Sequence, residues 1–386
     1  MNRIETGVVS VKKYAEELCG DRVETARRGG TVTMVLADGL GSGVKANILA
    51  TLTSKILGTM MADGLDIGDA VQTIAHTLPV CSVRKIAYST FSVLQVKESG
   101  AAYLAQFDNP DAILLRGGRG AEFPHIRTEI SGKTVFQSRF TLRRGDMLLL
   151  LSDGVVHAGA GGVYNFGWRR EQVSRFAEER FSPALTPKSL AALVTGACRQ
   201  LYVDRPDDDA TVAALRLRAP AAFDVLVGPP ANPADAPEAV RRFLAGDGRK
   251  VVCGGTTSQL LAQALGHAVK TNPPAESSAL PPTASIEGID LVTEGVLTLR
   301  STLELARGYP AADFDLAGLA GDDAAAQLAR LLLEEATDIR FFAGGAENPA
   351  YRQPGFPEEL CRKPKLVEAL AQALRDAGKN VSVTPL

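Results

Sequence analysis

Three aspartates stand at the ends of apolar runs: Asp38, Asp153 and Asp208. Asp38 closes TVTMVLA (Thr31–Ala37) and opens DGLGSG. Asp153 follows MLLLL (Met147–Leu151) within SDG, and Asp208 is the middle of the Asp207–Asp209 triplet, just before ATVAALRL. Apolar runs of this length, bounded by turn residues, read as buried strands. Each carboxylate then sits at a strand mouth, where it can face a shared cleft. Two carboxylates about 4 Å apart repel by roughly 4 kcal/mol at an effective dielectric near 20. Such a cluster persists only where protons or cations neutralise it. Ligands that are all oxygen suit hard divalent ions, Mg²⁺ or Mn²⁺. A metal centre is the leading expectation.

The elements around the aspartates weigh against a simpler reading. Asp-Gly after an apolar run is also a hairpin signal, because type I′ turns favour that dipeptide. After Asp38, however, comes VKANILATLTSKILGTMM, apolar at helical spacing through Ile48, Leu49, Leu52, Ile56 and Met60. This spacing predicts a helix whose apolar face packs on the sheet. Asp153 leads into HAGAGGVYNFGW, which offers no partner strand, and three adjacent acids before a buried strand are costly unless positive charge lies close.

ADGLGSGVKA, with CGD (Cys19–Asp21) upstream, LLLLSDGV in the middle and DDDATVAAL near the end, resembles the metal-dependent (PPM-type) serine/threonine phosphatases of the 2C class. The nearest branch is that of stage II sporulation protein E. The resemblance covers roughly residues 1–218 and rests on four motifs in order. It implies an α/β fold for this part, an α-β-β-α sandwich of two mainly antiparallel sheets, with two Mn²⁺ or Mg²⁺ ions at one edge. By position it implies Asp21, Asp38, the Gly39 carbonyl, Asp153 and Asp208 as metal ligands, with Asp209 as support behind them. Two departures stand out: Cys19 occupies the place of the family's usual serine, and Ala26 to Gly30 is short and basic. Lys12 and Lys13 are candidates for the basic phosphate-binding residue some members use.

The chemistry is consistent with these residues. Phosphate monoesters hydrolyse so slowly that catalysis of up to about 10²¹-fold is known. A two-metal site meets this need by activating water and clamping phosphoryl oxygens. The nucleophile is then a metal-activated water, and no side chain has to form a covalent intermediate. None of the four histidines (His76, His125, His157, His267) is paired at metal-ligand spacing. His157, four residues after Asp153, is a candidate general acid or a plain surface residue.

At 386 residues the chain suits two domains. Its 45% hydrophobic and 22% charged residues are ordinary for a globular protein. A net charge of −2 gives no basic footprint, so no nucleic-acid partner is expected. No run reaches 18 apolar residues and MNRIETGVVS lacks a signal-peptide core, so no membrane association and a cytoplasmic location are expected. Cys19, Cys81, Cys198, Cys253 and Cys361 are scattered and odd in number, which points to reduced thiols rather than disulfides or structural zinc.

RAPAA (Arg218–Ala222) marks the boundary, with residues 219–222 as linker. Over 223–386, strand, glycine-rich turn and helix alternate: FDVLV, RKVVC, GIDLV and DIRFFA are strands, and PADAPEAVRRFLAG, QLLAQALG, TEGVLTLRSTLELARG and KLVEALAQALRDAG carry helices. This predicts a doubly wound, Rossmann-like α/β domain. Thr271 to Ser285 (TNPPAESSALPPTAS) reads as a flexible excursion that is neither helix nor strand. Gly254, Gly255, Thr256, Thr257 and Ser258 lie between a strand and a helix, where backbone N–H groups and hydroxyls can face a small anion. Tight βα turns and helix caps use the same residues. Gly344-Gly345 and Thr293-Glu294-Gly295 occupy analogous places, with Arg300 or Arg352 as basic helpers. No GxGxxG or GxxxxGK[ST] motif is present.

Two functional readings follow. In one, the chain removes phosphate from Ser or Thr of a partner protein in bacterial signalling, and the resemblance suggests a partner of the anti-sigma-factor-antagonist kind. The second domain would then sense a ligand, form a homodimer or dock the substrate. In the other, the same fold serves as a non-catalytic phosphoprotein or metabolite sensor. A hydrolase of small phosphoesters is a weaker third. Four retained acids favour the enzyme.

Overall fold

The apolar runs before Asp38 and Asp153 and the run after Asp209 are strands covered on both faces. The computed structural model of the protein describes residues 1–77, 89–275, 280–346 and 363–386. The chain divides into two units, Met1–Ala219 with Ala311–Asp313, and Pro220–Pro310 with Phe314–Leu386.

In the first unit the strands are β1 (Arg3–Val11), β2 (Asp21–Arg28), β3 (Thr31–Asp38), β4 (Thr90–Lys97), β5 (Ala101–Phe107), β6 (Ile113–Arg116), β7 (Arg119–Ala121), β8 (Ile126–Ile130), β9 (Lys133–Thr141), β10 (Met147–Leu151) and β11 (Ala210–Arg218). The helices are α1 (Gly43–Ala62), α2 (Ile67–Thr77), α3 (Asp153–Val156), α4 (Arg170–Arg180) and α5 (Pro187–Leu201). One antiparallel sheet runs β1-β11-β10-β6-β7 and the other β2-β3-β4-β5-β9-β8.

Strand alternation sorts the apolar residues into three layers. Met34 and Leu36 of β3 meet Leu148 and Leu150 of β10 and Leu215 of β11 between the sheets. Val35 faces Leu57 of α1 and Ile74 of α2, whereas Leu149 and Val212 face Leu190 and Val194 of α5. This is the α-β-β-α sandwich expected, and it explains why these strands read as unbroken apolar runs.

Helix α1 departs from expectation. Its inward face is Ala46, Ala50, Thr53, Ser54, Leu57, Gly58 and Met61, while Ile48 and Leu52 are exposed and Leu49, Ile56 and Met60 only half-buried. Near Gly39 and Gly58 the helix backbone comes too close to its neighbours for large side chains, whereas Leu57 and Met61 enter the core toward its C-terminal end. A Cβ on Gly39 would lie 2.0 Å from the Ala46 carbonyl oxygen, and one on Gly58 would lie 3.0 Å from Glu24 Cγ. Small residues mark most of the packed face, with Leu57 and Met61 as its large apolar members.

The second unit contains β12 (Ala222–Val227), α6 (Ala236–Leu244), β13 (Arg249–Cys253), α7 (Gly255–Leu265), β14 (Lys270–Thr271), β15 (Ala284–Ser285), β16 (Leu291–Thr293), α8 (Val296–Gly308), α9 (Ala317–Ala320), α10 (Ala324–Arg330), β17 (Asp338–Ala343), α11 (Lys363–Asp376) and β18 (Asn380–Pro385). The sheet order is β14-β15-β16-β13-β12-β17-β18, parallel from β16 to β18. The chain enters at β12, winds outward through β13 to β16, then returns to β17 and β18 on the other side. Helices α6 and α7 cover one face, through Val240, Phe243 and Leu261. Helices α8, α10 and α11 cover the other, through Leu299, Leu328 and Leu370. The unit is doubly wound, as its alternation predicts.

Three local expectations change. The segment Thr271–Ser285 is not wholly irregular: its ends pair as β14 and β15, where proline is absent and backbone donors are free to bond. Residues 276–279 lie outside the described residues. The strand expected at GIDLV begins only at Leu291, because Gly288 turns the chain at φ +84° and Ile289 N–H bonds the Ile286 carbonyl. Gly255 to Ser258 form the first turn of α7 and not a loop before it.

The central strand β12 carries a fully buried acid. Asp224 faces Lys250 and Arg340 across the sheet register, accepting from Lys250 Nζ at 2.7 Å and from Arg340 Nε at 2.7 Å. Breaking a buried pair by removing one partner costs about 3–5 kcal/mol. Asp224→Asn should therefore lower the stability of this unit by about 3 kcal/mol, read as faster hydrogen exchange at β12 and β17 amides in the full chain. Unchanged protection there would contradict a structural role for the triad.

Among the described residues Cys19, Cys198 and Cys253 are free thiols, and no helix is long and apolar enough to cross a membrane. Cys81, Cys361 and Arg352 lie outside the described residues.

Candidate functional site

The carboxylates singled out in the sequence converge at one edge of the sandwich, drawn from both sheets. Asp21 opens β2 and Asp38 ends β3, and the two are direct cross-strand partners. Like charges so placed destabilise a sheet. Asp153 begins α3 immediately after β10, and Asp208 stands just before β11, the neighbour of β10. The Ser152 backbone N–H donates to the Thr211 carbonyl at 3.0 Å, and the Thr211 N–H donates to Ser152 Oγ at 2.8 Å. These bonds tie the two acid-bearing strand ends together.

Glycines make the convergence possible. A Cβ on Gly39 would collide with Ala46 backbone, and one on Gly154 would lie 2.1 Å from the Asp209 carbonyl oxygen. The glycine after each aspartate therefore serves a close backbone approach, not a hairpin turn. Gly39 N–H donates to the Gly20 carbonyl at 3.1 Å, which holds the CGD segment against the end of β3.

The electrostatics are those of crowded acids. Burial raises the Asp38 carboxyl well above the usual carboxylate range, and Asp21, Asp153 and Asp208 push it further. Asp153 also comes within hydrogen-bonding reach of Asp38. Burial likewise raises Asp21, with the Thr211 and Ser152 hydroxyls pulling it down and Asp209 and Asp153 pushing it up. Neither Asp21 oxygen completes a hydrogen bond among the described residues, although the side chain is only 4% exposed. Asp208 is raised by burial and by Asp153, and lowered by the Asp209 N–H and by Lys13. The Cys19 thiol is raised by burial and by Asp21 and Asp209, so it stays protonated.

The donor set suits a hard divalent cation: several carboxylates near one another, with two buried Asp21 oxygens that complete no hydrogen bond among the described residues. Among the described residues, no group of three or more acidic, histidine or cysteine side chains is placed to hold a metal ion as the side chains stand. The fit lies in donor type and convergence.

Asp209 differs from its neighbours. Its buried carboxylate accepts from Lys13 N–H at 3.0 Å and from Gly20 N–H at 2.8 Å. It fastens the segment between β1 and β2 and so sets the position of Asp21. Of the two basic candidates, Lys13 acts on Asp208, whereas Lys12 Nζ donates to the Glu17 carbonyl. His157 is exposed and caps α3, its backbone N–H donating to the Asp153 carbonyl at 3.0 Å.

Residues 28–218 match the family model described as stage II sporulation protein E (SpoIIE). This segment is a SpoIIE-family domain. The match takes in Asp38, Asp153 and Asp208 and starts after Asp21. Stage II sporulation protein E of Bacillus subtilis (strain 168) is 23% identical over 222 residues, 56% of this chain and 26% of the relative. The chain thus spans about a quarter of that curated relative's length. The structure of the PP2C phosphatase domain with a fragment of the regulatory domain of SpoIIE from Bacillus subtilis is 20% identical, covering 56% of this chain and 62% of that one, at a TM-score of 0.48. The RsbU and RsbW domains of a Mycobacterium tuberculosis protein are 18% identical, covering 63% and 70%, also at 0.48.

The SpoIIE-family domain does not include the glycine-rich strand ends of the second unit. There Gly254–Ser258, Thr293–Gly295 and Gly344-Gly345 lie at the carboxyl ends of β13, β16 and β17, the same sheet edge. Arg300 is half-buried within α8. Lys363, at the start of α11, is a basic residue at this edge that the sequence reading did not single out. As the first residue of an amphipathic helix it gave no sequence signal.

Proposed function

We propose that residues 1–219 form a divalent-metal-dependent phosphatase that removes phosphate from serine or threonine of a partner protein in bacterial cytoplasmic signalling. The observation that carries this reading is the convergence of Asp21, Asp38, Asp153 and Asp208 at one sheet edge, with both Asp21 oxygens buried and completing no hydrogen bond among the described residues. The SpoIIE-family match supports the reaction class. The resemblance of the motifs supports a substrate of the anti-sigma-factor-antagonist kind.

In this reading Asp21, Asp38, Asp153, Asp208 and the Gly39 carbonyl hold two Mn²⁺ or Mg²⁺ ions. When bound, such ions supply Lewis acidity to the phosphoryl oxygens and to an attacking water. The cross-strand pair Asp21 and Asp38 gives the site its concentrated negative charge. Asp209 keeps Asp21 in place through Gly20, and Lys13 offers a positive charge beside Asp208 that can orient the substrate phosphate.

The test is hydrolysis of p-nitrophenyl phosphate by the full chain, followed by a phosphoserine-bearing antagonist protein. Turnover is expected with Mn²⁺, lost in EDTA and restored by added Mn²⁺. No turnover with Mn²⁺, or turnover that persists in EDTA, would overturn the proposal. The non-catalytic reading draws on one observation: among the described residues no group of three or more acidic, histidine or cysteine side chains is placed to hold a metal ion. It would be favoured by phosphoprotein binding without turnover.

A further inference from the structure

The carboxyl edge of the parallel sheet in the second unit has features that the phosphatase reading leaves unused. Helix α7 begins at Gly255 with Gly254 as its N-cap, and no side chain caps it. A helix start leaves its first N–H groups without intrahelical partners and carries a partial positive charge. Gly255 and Thr256 are exposed, and a Cβ on Gly255 would meet nothing within 4 Å. The start of the helix is therefore open on the side that a Gly255 side chain would occupy.

Two further groups point to a ligand. Thr257, only 1% exposed, has a hydroxyl without any hydrogen-bond partner among the described residues. It is turned toward the helix start, 2.9 Å from where a Cβ on Gly254 would stand. Gly254 sits at φ +128°, a conformation that disfavours any side chain there. Lys363 is the second group. Its Cδ lies 3.5 Å from a Cβ position on Gly228 and its Cε 3.9 Å from one on Gly295. The stem thus crosses the ends of β12 and β16. Lys363 is half-buried and makes no hydrogen bond or ion pair among the described residues; burial lowers its pKa, and Glu294 opposes this.

We propose that this edge binds the phosphate of a small phosphomonoester, held by the Gly255 and Thr256 N–H groups, the Thr257 hydroxyl and the Lys363 ammonium. A phosphate dianion matches several converging donors better than a carboxylate, and a helix N-terminus beside an ammonium is a favourable place for it. Ligands of open α/β sheets bind at this edge. Glu294 shapes the choice of ligand. One of its oxygens accepts from Leu297 N–H at 3.2 Å, and its charge bears on Lys363. An acid beside the phosphate position disfavours a second anionic group and favours hydroxyl or amino groups, so a monophosphate is selected over a diphosphate.

The test is calorimetric titration of the full chain in EDTA, which keeps metal-assisted phosphate binding out of the first unit. The probes are inorganic phosphate, ribose 5-phosphate and ribose. Inorganic phosphate and ribose 5-phosphate should bind and ribose should not. Thr257→Val and Lys363→Met should each weaken ribose 5-phosphate binding by about tenfold or more, the scale of one lost hydrogen bond to a charged group. The unfolding midpoint of ligand-free Thr257→Val should be unchanged or higher, because a buried unpartnered hydroxyl is removed. That readout separates a binding role from a structural one. Unaltered binding in both variants, or no binding of either phosphate probe, would overturn the proposal.

Discussion

Asp38→Asn should reduce Mn²⁺-dependent phosphate-ester turnover by about 10³-fold or more and, in the absence of metal, make the protein more stable. The two effects have one cause. Asp38 faces Asp21 directly across β2 and β3 and also feels Asp153 and Asp208. Asparagine keeps the shape and removes the charge that gives the cluster its affinity for cations. Metal sites stabilise developing phosphoryl charge by several kcal/mol, and about 4 kcal/mol corresponds to roughly 10³ in rate. Without metal, Asp38 costs stability whether it stays charged or takes up a proton, because burial and its acidic neighbours push its carboxyl up. Two carboxylates about 4 Å apart would repel by about 4 kcal/mol at an effective dielectric near 20, which bounds the effect from above. Relaxation leaves only part of this to be recovered, so ~1–2 kcal/mol of added stability is expected. Thermal unfolding with and without Mn²⁺ reads both consequences: Mn²⁺ should raise the wild-type midpoint and leave the variant's where it was. Near-normal turnover in Asp38→Asn would remove Asp38 from the site.

The strands and the acids at their ends were legible because one physical signal marked both. A run such as MLLLL has no polar residue to spend on solvent, so it must be covered on both faces, and a charge immediately after it must leave the core at a strand end. The two-sheet arrangement then brings such ends together. Helix α1 was legible as a helix but not in its orientation. The sequence signal was the spacing of large apolar residues, whereas the packing is decided by the closeness of the backbones. Ala46, Ala50 and Gly58 face inward, and Ile48 and Leu52 face outward. A hydrophobicity pattern counts size as burial, and it fails where a helix lies nearly in contact with strands.

The anchoring role of Asp209 was legible only as support behind the ligands. Its partners are the backbone N–H groups of Lys13 and Gly20, 196 and 189 residues away in sequence. No local pattern announces a bond to a backbone so distant. The same holds at the second site. The GGTTS run showed itself, but Lys363 is brought beside it only by the return of the chain through β17 to α11. Sequence could suggest an anion at that edge without saying which charge would meet it.

Asp209→Asn should impair the same activity with the opposite effect on stability. The Asp209 carboxylate is 4% exposed and each oxygen accepts from a different backbone N–H. Asparagine can satisfy one of these donors and presents its own N–H₂ to the other. Leaving one backbone donor buried without an acceptor, together with the loss of a charged acceptor, costs about 1.5–3 kcal/mol. Asp209→Asn should therefore melt earlier than wild type in the absence of metal, where Asp38→Asn melts later. Loosening Gly20 also moves the neighbouring Asp21. Mutation of groups that orient metal ligands typically weakens metal affinity about 10–100-fold, so excess Mn²⁺ should restore much of the turnover, as it does not for Asp38→Asn. Gly20→Ala supplies an independent check. Its Cβ would lie 2.8 Å from Asp209 Oδ2 and 3.0 Å from Ala46 Cβ, so it should displace the same carboxylate and reproduce the same pair of defects. If Gly20→Ala and Asp209→Asn keep wild-type Mn²⁺ affinity while losing stability, Asp209 is a structural anchor with no bearing on the position of Asp21.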